Sequence, residues 1–373
     1  MLPRPVANLS ANDFDYDLPP ELIARAPAKD RAGSRLLVVG ADDVRHHHFH
    51  EIADLLEAHV GPRPLLVLND TKVIPARLYG HKVQREDGAL GGRVELLLCE
   101  PVAAEKKNHA PGRYRERWRC LYRSGKPLRA GTSVLLSGES PPSADVIENE
   151  GGGRVLVDFS GDEGEGLLGA LGRLGEIPLP PYILAARRQA GTETDAAQDR
   201  ERYQTVYARH PGSVAAPTAG LHFSPTLLER LRARGIDQAH VTLHVGPGTF
   251  APLSDDDPAK AVLHEERYEI PAQAAAQIRA AKEAGRKIVA VGTTVVRTLE
   301  GATAPGAHAP EPGAGHTRLF IYPPYRFQVV DAMITNFHLP RSTLLMLVAA
   351  LAGRRRLLAA YGEAVRQGYR FYS

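Results

Sequence analysis

Three short polar stretches of this 373-residue chain hold side chains able to move protons or grip a charged ligand. In the first, the turn-prone segment Ala216-Pro217-Thr218-Ala219-Gly220 precedes His222, and His244 precedes a second loop, Gly246-Pro247-Gly248. An imidazole takes and gives a proton near neutral pH, so two of them beside glycine-containing loops suit acid–base work; core packing is the competing account of a histidine on a strand. The second stretch, Asn69-Asp70-Thr71-Lys72, gathers an amide, a carboxylate, a hydroxyl and an ammonium at a strand end, with Arg77 beyond Pro75. Such a cluster can hold a ligand, or form a capped turn with Lys72 in solvent. The third, Gly292-Thr293-Thr294, places glycine and hydroxyls where a strand becomes a helix. Backbone N–H groups there can meet a carboxylate or phosphate, or Thr293 can simply cap the helix.

The elements that must position these loops follow from periodicity. Ser224-Pro225 before Leu227, Leu228 and Leu231 predicts a helix closed at Arg234-Gly235, followed by a strand through Val241, Leu243 and Val245. Strands are predicted over 35–39, 65–68, 287–291, 318–321 and 327–330, and helices over 52–56, 272–284, 295–299 and 342–351. The segment 177–184, IPLPPYIL, predicts an extended connector, and the apolar-poor 187–202 a mobile or ligand-ordered loop. Between Arg77 and Asp158 the pattern changes to six short alternating runs with little helical signal, which suits a small closed barrel. Trp118 and Tyr122 are then barrel packing. The fold expected is an α/β main domain, 1–76 with 176–373, interrupted by an all-β barrel, 77–175.

The totals exclude several classes. Lys and Arg number 46 against 43 Asp and Glu, an excess too small to mark a nucleic-acid partner, so any RNA surface is a local patch. Cys99 and Cys120 suit neither a disulfide framework nor a zinc site and read as buried thiols. The run His46–His50 points alternately to opposite faces of a strand and lacks a defined carboxylate or thiolate partner, so no metal is expected. Neither G-x-G-x-x-G nor a P-loop is present, and no apolar run is long enough to span a bilayer. A cytoplasmic monomer is expected. Arg354-Arg355-Arg356 is read as closing the preceding helix, where it complements the dipole or touches RNA phosphate.

Ordered motifs run along most of the chain: Phe14-Asp15-Tyr16-Asp17-Leu18-Pro19, Leu68-Asn69-Asp70-Thr71-Lys72-Val73-Ile74-Pro75-Ala76-Arg77-Leu78, Ile177-Pro178-Leu179-Pro180-Pro181-Tyr182, Tyr203-Gln204-Thr205-Val206-Tyr207, 214–250, and Ile334-Thr335-Asn336-Phe337-His338-Leu339-Pro340. In these the sequence resembles the S-adenosylmethionine:tRNA ribosyltransferase-isomerase family of queuosine biosynthesis. The resemblance implies transfer and isomerisation of the ribosyl part of S-adenosylmethionine onto 7-aminomethyl-7-deazaguanine in tRNA, giving epoxyqueuosine with release of adenine and methionine. It implies S-adenosylmethionine as co-substrate, no bound cofactor, and a tRNA partner. On the matched loops, His222, His338 and Asp70 become the catalytic candidates, and Lys72, Arg77, Thr218, His244, Thr249, Glu265, Thr294 and Asn336 the substrate-binding ones. The chain departs from the family pattern at Pro323-Pro324-Tyr325, at Asp331-Ala332 and after Tyr369-Arg370-Phe371-Tyr372-Ser373, where members usually continue with an acidic, apolar tail. A tRNA-binding module without turnover is the alternative from a different class.

Overall fold

A computed structural model describes residues 9–41, 43–83, 89–102, 113–162, 164, 166–191, 196–246, 257–260 and 263–372. A hairpin of β1 (Arg35–Val39) and β2 (Val44–His48) leads into α1 (Ile52–His59) and then β3 (Leu65–Asn69), whose five residues are all buried. Strand β4 (Thr71–Val73) follows after Asp70. The chain then enters six strands, β5 (Arg77–Val83), β6 (Leu90–Val102), β7 (Arg113–Ser124), β8 (Ser133–Leu136), β9 (Ser143–Gly151) and β10 (Arg154–Asp162). They pair antiparallel into a closed barrel in the order β10-β7-β6-β5-β8-β9, so no ladder edge is left open. Alternate residues such as Leu78, Leu96, Leu98, Val155 and Val157 fill it, with Trp118 and Cys120.

Helix α2 (Gly166–Leu174) packs Leu167 and Leu171 onto that core. The chain returns to the body beside its point of departure: Arg77 and Glu176 exchange backbone hydrogen bonds of 3.1 and 2.9 Å. Gly175 is required there, because a Cβ would stand 1.9 Å from the Pro75 carbonyl oxygen. Next come α3 (Pro181–Gln189), α4 (Ala196–Arg202), β11 (His210–Ser213), α5 (Pro225–Ala233) and β12 (Gln238–Leu243). They are followed by β13 (Glu266–Ile270), α6 (Ala272–Glu283), β14 (Ile288–Val291), α7 (Thr293–Ala302), β15 (Gly313–Thr317), β16 (Ala332–Ile334), α8 (Thr343–Ala352) and α9 (Arg354–Arg366).

The body's main sheet runs β15-β13-β12-β3-β14-β16. Its centre, β12-β3-β14-β16, is parallel, while β13 and β15 add antiparallel at one edge. Both faces are covered, which explains the continuous apolar runs of β3 and β14. Helices α6 and α7 bury Ile278, Val295 and Leu299 on one side; α1 and α5 bury Ile52, Leu56, Leu228 and Leu231 on the other. Ser224 caps α5 as predicted, accepting from the Leu227 N–H at 3.2 Å.

Four expectations fail here. The connector 177–184 turns helical at Pro181, and within 187–202 the described residues 187–189 and 196–202 are helical: Arg187 in α3 and Asp199 in α4 form a buried bidentate pair at 2.6 and 2.7 Å. The two charges meet from separate helices, which local composition does not reveal. Segments 318–321 and 327–330 are not strands; the strands are β15 and β16, each a few residues away. The arginines 354–356 open α9 rather than closing α8, and Arg354 pairs with Asp13 at 2.5 Å.

Candidate functional site

In an open parallel sheet the carboxyl ends of the strands meet at one rim, and ligands bind there. Here β3 delivers Asn69, β12 delivers His244, β14 delivers Gly292-Thr293-Thr294 and β16 delivers Thr335-Asn336. Gly292 makes the turn from β14 into α7 with φ +94°, a conformation that favours glycine. It leaves Thr293 and Thr294 at the helix start, both buried. The Asn69 side chain joins the strand ends: its Oδ1 accepts from the N–H groups of Thr71 and Leu243 at 3.1 and 3.0 Å. Its Nδ2 donates to the Leu243 carbonyl at 3.0 Å and to Thr294 Oγ1 at 3.3 Å.

Above this rim is a cavity of about 250 Å³, with Thr218, Thr293, Thr294, Asn336, His338 and Tyr372 in its wall. A second cleft, about 870 Å³, lies on the other side of the same chain segment and shares Ala219, Thr335, Asn336 and Tyr372 with the first. His222 lines this larger cleft.

Three imidazoles are held neutral. Burial pulls His338 down to about 3; its Nε2 lies 2.9 Å from Thr335 Oγ1. Its backbone is clamped, since the Tyr361 hydroxyl accepts its N–H at 3.0 Å and the Tyr16 hydroxyl donates to its carbonyl. Burial, and then the nearby guanidiniums of Arg370 and Arg31, bring His222 to about 4 against a hydrogen bond to the Arg31 backbone. The Asn336 amide lies 3.1 Å from its Nε2 and Ser34 Oγ 3.1 Å from its Nδ1, an arrangement that suits a proton on Nδ1. His244 falls to about 4 through burial and then the charges of Arg267 and His210, and its Nδ1 sits 2.9 Å from Thr71 Oγ1.

The structure therefore brings Thr218, Thr294, Asn336 and His338 together, with His222 against Asn336 from the far side. Asp70 is not with them. Neighbouring residues at the end of a strand face opposite sides, and where Asn69 reaches Thr294, the Asp70 carboxylate accepts from Thr242 Oγ1 at 2.7 Å, with His210 at 3.7 Å. Lys72 is exposed on β4, and Arg77 lies at the barrel junction, 3.3 Å from Glu95. His244 stands one residue outside the cavity wall, which Val245 enters. Glu265 is exposed and paired with Arg318 at 3.2 Å, and Thr249 lies outside the described residues. Asn69, Arg341 and Tyr182 were not among the expected site residues; the first knits the rim and the other two line the cavity. Asn69 and Tyr182 fall inside the quoted motifs and Arg341 directly follows one, which was the available signal. Among the described residues no group of three His, Cys, Asp or Glu is placed to hold a metal ion. His46 instead contacts Tyr369 at 2.9 Å, and His47 contacts Glu51 at 3.1 Å.

A strand-end pocket with one neutral imidazole, His338, and a helix N-terminus in its wall has the chemistry to hold a small polar ligand and move a proton on it. The comparisons narrow the class. The family model described as "Queuosine biosynthesis protein" matches residues 11–373, and the chain belongs to that family. It is 51% identical over 364 residues to the S-adenosylmethionine:tRNA ribosyltransferase-isomerase of Anaeromyxobacter dehalogenans (strain 2CP-C), covering 97% of this chain and 96% of the relative. The protein of the same name from Nostoc sp. (strain PCC 7120 / SAG 25.82 / UTEX 2576) is 47% identical over 386 residues, covering 96% and 89%. The crystal structure of an S-adenosylmethionine tRNA ribosyltransferase from Thermotoga maritima matches 97% of each chain at 36% identity with a TM-score of 0.50.

Proposed function

We propose that this enzyme transfers and isomerises the ribosyl moiety of S-adenosylmethionine onto 7-aminomethyl-7-deazaguanine in tRNA, forming epoxyqueuosine and releasing adenine and methionine. The relatives' shared name and their identity across nearly the whole chain support the reaction. The observation that carries the site is the meeting of Thr294, Asn336 and His338 around one cavity at the rim of the parallel strands. S-Adenosylmethionine occupies that cavity at least by its methionine end. Its carboxylate faces the start of α7 at Thr293 and Thr294, where the dipole favours an anion, with Arg341 also in the cavity wall.

The sulfonium acidifies the adjacent C–H, and the reaction needs a base there and an acid for departing adenine. His338 faces this cavity as a neutral imidazole and is the base; His222 serves the acceptor side, oriented by Asn336 and Ser34. Asp70, through Thr242, and His244, through Thr71, position the strand ends. The walls exclude water from reactive intermediates. The enzyme acts as a cytoplasmic monomer without metal, and residues 77–175 form an inserted domain; among the described residues no helix is long and apolar enough to cross a membrane. A non-catalytic tRNA-binding module has no use for a neutral imidazole in the wall of such a cavity. Adenine release from S-adenosylmethionine in the presence of acceptor tRNA tests the reading: turnover supports it, and its absence from folded protein overturns it.

A further inference from the structure

The larger cleft is unbalanced in charge. Arg31, Arg35, Arg202, Arg356 and Arg370 line it, against the acids Asp43 and Asp331. Each acid already has a cation of its own: Asp43 holds Arg45 at 2.6 Å, and Asp331 holds Lys282 and Lys287 at 3.1 and 3.2 Å. Four of the arginines are instead fixed by backbone carbonyls. Arg31 donates to Leu221 and Glu201 at 3.1 Å each, Arg35 to Gln367 at 2.8 Å, Arg202 to Ala28 at 2.7 Å, and Arg370 to Ala26. A carbonyl orients a guanidinium without cancelling its charge. Arg35 also stacks over Tyr369 at 3.7 Å. The Glu201 carboxylate acts on Arg31 from nearby, but Arg202 opposes it there. Below the arginines the lining is apolar and aromatic, with Leu36, Phe49, Ile52, Met333 and Tyr361.

An apolar interior with a rim of oriented, uncancelled guanidiniums fits a flat heterocycle attached to phosphates. A free amino-acid sulfonium, itself cationic, does not fit it. Modification of a base inside folded RNA requires that the base leave its stack and enter the protein. Resting on the reading above that RNA is the acceptor substrate, we infer that the 870 Å³ cleft receives the extruded target nucleotide, its base against the apolar lining and its flanking phosphates on the arginines. The Asn336 segment then stands between the two reactants, with His222 on the nucleotide side.

The test measures two affinities on the full-length protein. Arg356 and Arg370 are exposed at the cleft, so Arg356→Glu/Arg370→Glu is examined for acceptor tRNA binding across a salt series and for S-adenosylmethionine binding by calorimetry. The expected result is a tRNA affinity at least about tenfold weaker, a log–log salt slope shallower by roughly 1–2, and S-adenosylmethionine affinity within about twofold of the parent. Arg356→Glu alone gives a smaller change of the same sign and keeps the test open should the double substitution misfold. Loss of S-adenosylmethionine affinity with tRNA binding intact would reassign the cleft to the sulfonium; no change in either would place the RNA elsewhere, and both outcomes overturn the inference. Absence of adenine release by the unsubstituted protein counts instead against the underlying reaction, and is read separately from either affinity.

Discussion

The barrel and the strand-end rim handle buried polar groups in opposite ways. On the barrel, the buried Asp158 carboxylate receives Arg115 Nε at 2.8 Å and Arg117 Nε at 2.6 Å, and the interior is apolar. At the rim, His222, His244 and His338 are kept uncharged by burial, each against a hydroxyl. The body has its own buried ion pairs in Arg297–Glu266 and Arg187–Asp199, but none of these residues lines the site cavity. One region satisfies charge with charge and gains rigidity; the other holds titratable groups neutral and gives up stability in acid to do so.

That contrast predicts where damage will appear. The largest effect is expected from His338→Ala, which should slow adenine release by about 10²–10⁴-fold while leaving S-adenosylmethionine affinity nearly unchanged. Single-turnover assays and calorimetry check the two halves, and parent-like release would remove His338 as the base. Acid comes next. The three imidazoles titrate near 6.5 when unfolded and near 3 or 4 when folded, so between those values the unfolded chain binds more protons. Stability should therefore be full above about pH 6.5 and fall as the pH drops toward 4, by about 2 kcal/mol per histidine at pH 4.5. Urea midpoints at pH 7 and 4.5 measure this, and His338→Gln should flatten the dependence.

In the barrel, Asp158→Asn should cost about 2 kcal/mol, since Arg115 and Arg117 lose their shared carboxylate but retain some solvent. The folded fraction should turn over normally; a loss of turnover at constant folded fraction would erase the division between the regions. The smallest effect is expected from Asp70→Asn, which keeps an acceptor for Thr242 and lies outside the cavity. Steady-state kinetics should find kcat nearly that of the parent.

The six barrel strands were legible because side-chain alternation and turns are local signals; each predicted run lies within an observed strand. The motif loops were legible as loops, and the parallel order of β3, β12, β14 and β16 explains why four of them meet. What escaped depends on tertiary partners. The helices around Arg187 and Asp199 form where distant charges join, and β15, Gly313–Thr317, is a strand only because β13 offers it an edge. Nor does one polar tetrapeptide reveal which of its side chains faces the ligand: parity along the chain gave that place to Asn69 and turned Asp70 away.

The neck of the barrel has a mechanical consequence. Its two crossings lie side by side at Arg77 and Glu176, and Gly175 presses on the Pro75 carbonyl a few residues from Asn69. The chain thus enters and leaves the barrel at one neck that runs on to the rim, braced by Arg200 of α4 on the Gly172 and Gly175 carbonyls at 2.7 and 2.9 Å. A macromolecule leaning on that appendage would act as a lever whose fulcrum is Pro75, delivering torque to the amide that ties β3 to α7.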